Sequence, residues 1–284
     1  MKERVTELEY LGDDPAPGDP FEKLFETARQ LKASGKFPDN GGFISTTSST
    51  TPTANDALPV VETSKLYVRP IYKELYQEIN EYFISPPTYR TQNRFVVTGT
   101  SGIGKSVFLV YLALRLLAES DDDDPPLIIF HIKTPRKLNC YAFGGTLVFR
   151  AGTIDDFDEL LFLPETWYLV DSVQQPYLCT AKTVISVSPE TLLSDTNEYK
   201  EVSKASPTQR YMAPWSFAEL RACRKKAFPG VSFPLMKSIY TKLGGVPRYV
   251  LQTPATELVR PFSNDVAAET CAMKRFEEAL AMVR

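Results

Sequence analysis

Residues Gly99-Thr100-Ser101-Gly102-Ile103-Gly104-Lys105-Ser106 fit the pattern G-x-x-x-x-G-K-[ST], and with their flanks they constrain the fold more than any other part of the chain. An apolar β-type run, Phe95-Val96-Val97-Thr98, feeds into the loop. A helical run from Ser106 to Glu119 leaves it without a proline or glycine. Strand, glycine loop and helix in this order make a cradle for phosphate. The glycines let the backbone curl so that successive N–H groups point inward, and the helix start adds its positive dipole end. In such a cradle Lys105 reaches the β- and γ-phosphates, and the Ser106 hydroxyl joins the Mg²⁺ shell. The expected contact set is Gly99, Thr100, Ser101, Gly102, Ile103, Gly104, Lys105, Ser106 and the adjoining Val107.

Length and charge narrow the classes. A chain of 284 residues makes one large domain or one and a half, with ample core. A net charge of −3 argues against a protein that coats nucleic acid through charge alone. The apolar stretch after the loop is broken by Arg115 and is too short to span a bilayer, so no membrane association is expected. Met1-Lys2-Glu3-Arg4 is followed by further charges and does not read as a secretory leader, which suggests an intracellular compartment. The four cysteines are widely spaced with no C-x-x-C pair, as expected of reduced thiols.

Residues 1–64 read as a variable, largely flexible N-terminal segment with one short helix, Phe21 to Leu31. Within it, 34–57 is rich in Gly, Ser, Thr and Asn and reads as a linker. From 65 to 214 the pattern is that of an α/β core. Ile71, Leu75, Ile79 and Phe83 mark an amphipathic helix ended by Pro86-Pro87. Strands follow at 94–98, 127–132, 167–171 and 183–187, with a hairpin turning at Gly144-Gly145 and a short strand at 210–212. Asp121 to Asp124 reads as a solvated turn. Alternating strands and helices predict a parallel sheet flanked by helices. Ser216-Phe217-Ala218-Glu219 is a capping box, and 215–284 reads as a small C-terminal helical lid.

Hydrolysis needs more than a cradle. Asp171 ends a four-residue apolar strand, where ligands of open α/β sheets gather, and is the expected partner of Ser106 at the metal. The next residue is Ser172, and a serine of ordinary pKa is no general base at neutral pH. Either the base lies elsewhere or turnover is slow. Ser186 and Ser188 sit where a side chain would sense a γ-phosphate or simply cap the next loop. Arg248, after Gly244-Gly245-Val246-Pro247, is placed to reach phosphates, while Lys204 and Arg210 are candidate charge fingers from a neighbouring copy. The single histidine, His131, lies inside a predicted strand and reads as a core residue, which removes a Ser-His-Asp triad and a multi-histidine metal site. No N-K-x-D motif follows the metal strand, which favours ATP over GTP. Arg221, Arg224, Lys225 and Lys226 fall late in a helix, where cations suit the dipole, with nucleic-acid contact the minority reading of the cluster.

Several segments together resemble the NTPase module shared by Crinkler effectors and trypanosomatid retrotransposon hot spot proteins. They are Val97 to Ser106, Trp167-Tyr168-Leu169-Val170-Asp171, Ser188-Pro189, Tyr199 to Lys204, Met212 to Leu220 with its Pro214-Trp215-Ser216, and Gly244-Gly245-Val246-Pro247-Arg248-Tyr249. They cover roughly residues 65–255. The resemblance implies a P-loop NTPase core of the AAA or signal-transduction (STAND) type, with Pro247 packed on adenine and Arg248 as a sensor in the lid. It also implies secretion and action in a host cell, in the nucleus for some members. In that family a header with a Leu-x-Leu-Phe-Leu-Ala-Lys motif often precedes the core and a nuclease-like module follows it. Residues 1–64 show no such header, and nothing in the sequence supports DNA cleavage.

The combined reading is an ATP-binding P-loop NTPase that turns over slowly with Mg²⁺ and acts as a conformational switch. Lys105, Asp171 and Arg248 carry the chemistry, with Ser106 and Asp171 on the metal. A regulatory module that holds ATP or ADP without turnover and a small-molecule P-loop kinase are the alternatives. Self-association and a protein partner both stay open.

Overall fold

The computed structural model describes residues 11–38, 40–46, 57–61, 64–84, 93–121, 126–133, 139–144, 148–173, 175–190 and 208–281. It divides into two compact units. The larger comprises the chain up to Thr98 and Lys105–Tyr211, the smaller Gly99–Gly104 and Met212–Arg284.

The larger unit is built on a seven-stranded mixed sheet. In chain order its strands are β3 (Arg94–Thr98), β4 (Leu127–Ile132), β5 (Cys140–Gly144), β6 (Val148–Gly152), β7 (Trp167–Asp171), β8 (Lys182–Val187) and β9 (Thr208–Tyr211). Their spatial order is β6-β5-β4-β7-β8-β3-β9. β4, β7, β8, β3 and β9 run parallel, whereas β5 and β6 form an antiparallel hairpin appended to β4. The near-continuous apolar runs in β3, β4, β7 and β8 are buried, as strands covered on both faces must be. The sheet is thus mixed rather than wholly parallel, because the Cys140–Gly152 hairpin turns the chain back beside β4. The Gly145 end of that turn and Asp122–Asp124 lie outside the described residues.

Among the described residues three long helices flank the sheet in this unit: α1 (Pro20–Ser34), α2 (Pro70–Ile84) and α3 (Lys105–Ala118). A one-turn helix, α4 (Asp158–Leu161), follows a 3₁₀ turn. On α2 the stripe Tyr72, Leu75, Ile79 and Tyr82 is buried. α3 is buried almost all round, from Phe108 to Leu114 without a break. α1 begins where Asp19 accepts the Phe21 N–H at 2.9 Å and ends at Gly35, whose φ of 60° closes the last turn.

Part of the N-terminal segment is therefore built into the larger unit. α1 packs on α3, and the Phe21 ring stacks on Tyr141 of β5 with centroids 3.9 Å apart. Inside the stretch read as a linker, β1 (Phe43–Ser45) pairs antiparallel with β2 (Lys65–Tyr67). Low apolar content across 34–57 hid Ile44, the one buried apolar side chain among the described residues there, which anchors this three-residue strand. Residues 1–10 and 47–56 lie outside the described residues.

The smaller unit is helical: α5 (Phe217–Ala227), α6 (Phe233–Leu243), a π-helical turn (Arg248–Gln252), α7 (Thr253–Leu258) and α8 (Asp265–Ala281). Ser216 and Glu219 close the capping box on α5, and Ser232 caps α6 through the Leu235 N–H at 3.2 Å. Leu220, Met236, Ile239, Val250 and Leu251 form its core.

Candidate functional site

The order of strands fixes where a ligand can sit in the larger unit. From β3 the chain crosses through α3 to β4, on the far side of β7 and β8. From β8 it passes to β9, on the other side of β3. The direction of winding reverses at β3 and β8, and open α/β sheets form crevices at the carboxyl ends of such strands. Thr98, Ser186 and Asp171 stand side by side there, with Thr98 opposite Val187, Val97 opposite Ser186, and Asp171 opposite Ser186 on the other flank.

Ser106, in the first turn of α3, donates its hydroxyl to Asp171 Oδ1 at 2.7 Å. The two residues expected on a metal, 65 positions apart, thus meet in this unit. Asp171 is buried, and loss of water pushes its carboxyl above the usual carboxylate range. The Ser106, Ser186 and Ser172 hydroxyls and the Lys105 charge pull in the opposite direction. Thr98 Oγ1 and Ser186 Oγ are buried without a hydrogen bond of good geometry among the described residues. Ser172 takes a left-handed conformation with φ 56°, and its N–H bonds the Ser186 carbonyl at 3.0 Å. A non-glycine residue in that region carries strain, here directly after Asp171.

In the smaller unit Gly99, Gly102 and Gly104 all have positive φ. At Gly99 a Cβ would lie 2.7 Å from Ile103 Cδ1 and 2.8 Å from the Met212 carbonyl oxygen, so only glycine fits. The Trp215 indole N–H donates to the Ile103 carbonyl at 2.8 Å. Arg248 Nη1 donates to Ser101 Oγ at 3.0 Å, and its side chain passes the place where a Gly102 Cβ would stand. Trp215 is fixed in turn by its own N–H on the Gly245 carbonyl at 2.8 Å. A Cβ on Gly245 would collide with the Trp215 carbonyl oxygen. Pro247 is half-buried and leads into the π-helical turn that carries Arg248.

The expected residues thus fall into two groups. Lys105, Ser106, Val107, Asp171 and Ser186 belong to the larger unit, and Gly99 to Gly104, Pro247 and Arg248 to the smaller. Arg210 lies on the exposed strand β9 and pairs with Glu78 at 2.6 Å. Lys204 and the Tyr199–Lys204 segment lie outside the described residues. His131 is a core residue, bonded to the Tyr168 hydroxyl at 2.8 Å and facing Asn139 at 3.2 Å. All four cysteines are free thiols. Two contributors carried no assigned role in the sequence: the Trp215 indole, whose only trace was Pro-Trp-Ser before a capping box, and the Thr98 hydroxyl at the end of an apolar strand.

This donor set suits Mg²⁺ and no soft metal. Mg²⁺ keeps several waters and takes one or two protein oxygens, the rest coming from substrate phosphate. Ser106 and Asp171 supply one hydroxyl and one carboxylate. Among the described residues no group of three or more His, Cys, Asp and Glu is gathered to hold a metal by itself. No helix among them is long and apolar enough to cross a membrane.

The architecture defines a mixed α/β protein with a mostly parallel sheet, flanking helices and a separate helical unit. No protein-family profile matches the chain. It is similar to two proteins of Phytophthora infestans, Crinkler effector protein 15 and Crinkler effector protein 16. It is 30% identical to the first over 208 residues and 30% identical to the second over 207, 70% of this chain in both cases. Those stretches are 31% and 30% of the two relatives, so the chain spans about three tenths of their length.

Proposed function

We propose that the protein is an ATP-binding P-loop NTPase, a slow Mg²⁺-dependent ATPase that serves as a conformational switch in an effector of the Crinkler kind. The observation that carries this reading is the 2.7 Å hydrogen bond from Ser106 to Asp171. It joins the loop's last residue to the one carboxylate at the end of β7. When bound, Mg²⁺ would neutralise charge on the β- and γ-phosphate oxygens. The chain's own groups have simpler tasks. Backbone N–H groups of Gly99 to Ser106 bind the phosphates, Lys105 adds a full positive charge, and Ser106 and Asp171 hold the cation. Arg248 supplies a second charge beside Ser101. The two relatives are named effectors, which supports a role of that type; secretion and action in a host cell are part of the same proposal and follow from the family resemblance alone.

A second reading, a nucleotide-loaded regulator without turnover, draws on Ser172. The position after Asp171 bears no carboxylate to polarise water, and its left-handed backbone is already strained. Calorimetric titration of ATP and ADP, with and without Mg²⁺, tests the binding, and phosphate release measured beside Lys105→Ala tests turnover. Saturable heat and release above the variant establish the ATPase. Saturable heat with release equal to the variant establishes the regulator. No heat from well-folded protein overturns both.

A further inference from the structure

The net negative charge of the whole chain conceals a division within it. From Leu220 to Thr256 there is no aspartate or glutamate at all, yet the stretch carries Arg221, Arg224, Lys225, Lys226, Lys237, Lys242 and Arg248. Folding sorts these cations. Lys242 is paired with Glu269 at 2.5 Å, Arg224 donates to the Val231 carbonyl at 2.7 Å, and Arg248 donates to Ser101. Arg221 and Lys225, one turn apart on α5, and Lys237 on α6 are exposed and pair with no carboxylate among the described residues.

Aromatic rings stand among them. Phe217 of α5 meets Phe233 and Tyr240 of α6, with centroids 5.9 and 5.0 Å apart. The Arg221 guanidinium lies 5.9 Å over the Phe233 ring, which is 39% exposed. Lys237 follows Phe233 by one helical turn. The acidic groups nearest in sequence, Glu219 and Glu257, are engaged with Ser216 and with Arg260 at 2.8 Å, and Asp265 and Glu269 of α8 with Ser232 at 2.6 Å and with Ser238 and Lys242.

We propose that this α5–α6 face binds single-stranded nucleic acid, with Arg221, Lys225 and Lys237 on phosphates and the Phe233 ring stacked against a base. Charge alone would suit any polyanion. The exposed ring beside a guanidinium selects a polymer that carries π-faces between its charges. Rows of cations one helical turn apart, about 6 Å, track an extended backbone. The proposal stands independently of the phosphate loop, since it uses none of its residues.

The test is fluorescence anisotropy of a labelled oligothymidylate of about 20 nucleotides with the full chain, at salt between about 50 and 200 mM. Three comparisons are needed: the Arg221→Gln/Lys225→Gln double variant, Phe233→Ala, and competition by polyglutamate. All the substituted side chains are exposed, and unchanged circular dichroism confirms that each variant folds. The expected result is binding that weakens at least tenfold in the double variant, with a log–log salt slope shallower by about 1.4 for two lost contacts to a single strand. Phe233→Ala is expected to weaken binding about tenfold at unchanged salt slope, in line with a lost stacking contact. Polyglutamate that competes as well as oligothymidylate, together with indifference to Phe233→Ala, would assign the face to an acidic protein partner and overturn the proposal. Absence of binding at the lowest salt would overturn it as well.

Discussion

The indole N–H of Trp215 and the carbonyl oxygen of Ile103 lie 2.8 Å apart, so the residue before the capping box of α5 holds the middle of the glycine loop. Both residues are buried, and the Ile103 oxygen has no water to turn to if the indole is withdrawn. Trp215→Phe keeps an aromatic ring, a smaller one, and removes the donor. A loss of about 1–3 kcal/mol in urea unfolding is expected, the penalty for an orphaned buried acceptor.

Gly245 faces a harder constraint, because any side chain collides with the Trp215 carbonyl oxygen. Gly245→Ala is expected to unseat Trp215 and to lower the melting temperature far more than Gly230→Ala, where nothing lies within 4 Å of the added methyl. Differential scanning calorimetry of the pair provides the comparison. Equal shifts would contradict the close approach.

Asp171 should show opposite effects on stability and on binding. Burial raises its pKa, so at neutral pH the ionised carboxylate is a cost to the ligand-free fold. Asp171→Asn is expected to raise the melting temperature without ligand and to abolish any strengthening of ATP binding by Mg²⁺. A thermal-shift assay with and without Mg²⁺-ATP reads both signs at once.

Acid sensitivity should trace in part to His131. Burial lowers its pKa to about 4, against about 6.5 in an unfolded chain. The unfolded state therefore binds the extra proton first, and stability falls as pH drops from about 6.5 towards 4. A shift of this size corresponds to at most about 3 kcal/mol. Melting curves between pH 7.5 and 4.5 should fall less steeply in His131→Gln, although that variant starts from a lower melting temperature at pH 7.5.

Phe21→Ala asks whether α1 is part of the fold. Its ring is buried between Phe130 and Tyr141, and truncation is expected to cost about 3–5 kcal/mol. Destabilisation below 1 kcal/mol would show that α1 contributes little to holding the larger unit together.

Legibility followed distance along the chain. The strand, glycine loop and helix at 94–118 were readable because each depends on its immediate neighbours. The Ser216–Glu219 cap was readable for the same reason, as was Asp171 at the end of an apolar run. Contacts made at long range left no local mark. Phe21 looks like any helical phenylalanine until Tyr141 stacks on it 120 positions later. Trp215 gives no sign in sequence that its donor serves Ile103. The grouping of Gly99–Gly104 with the helical unit was equally hidden, since it rests on Met212, Trp215 and Arg248 arriving from the far end of the chain.

The position of β3 within the sheet has a consequence for biosynthesis. Its hydrogen-bonded neighbours are β8 and β9, neither of which exists until Val187 and Tyr211 have been translated. On the ribosome the early-made strand Arg94–Thr98 therefore waits with both edges bare, an invitation to chaperones and to misassociation. The segment that most defines this protein thus becomes native only after Tyr211 has been made.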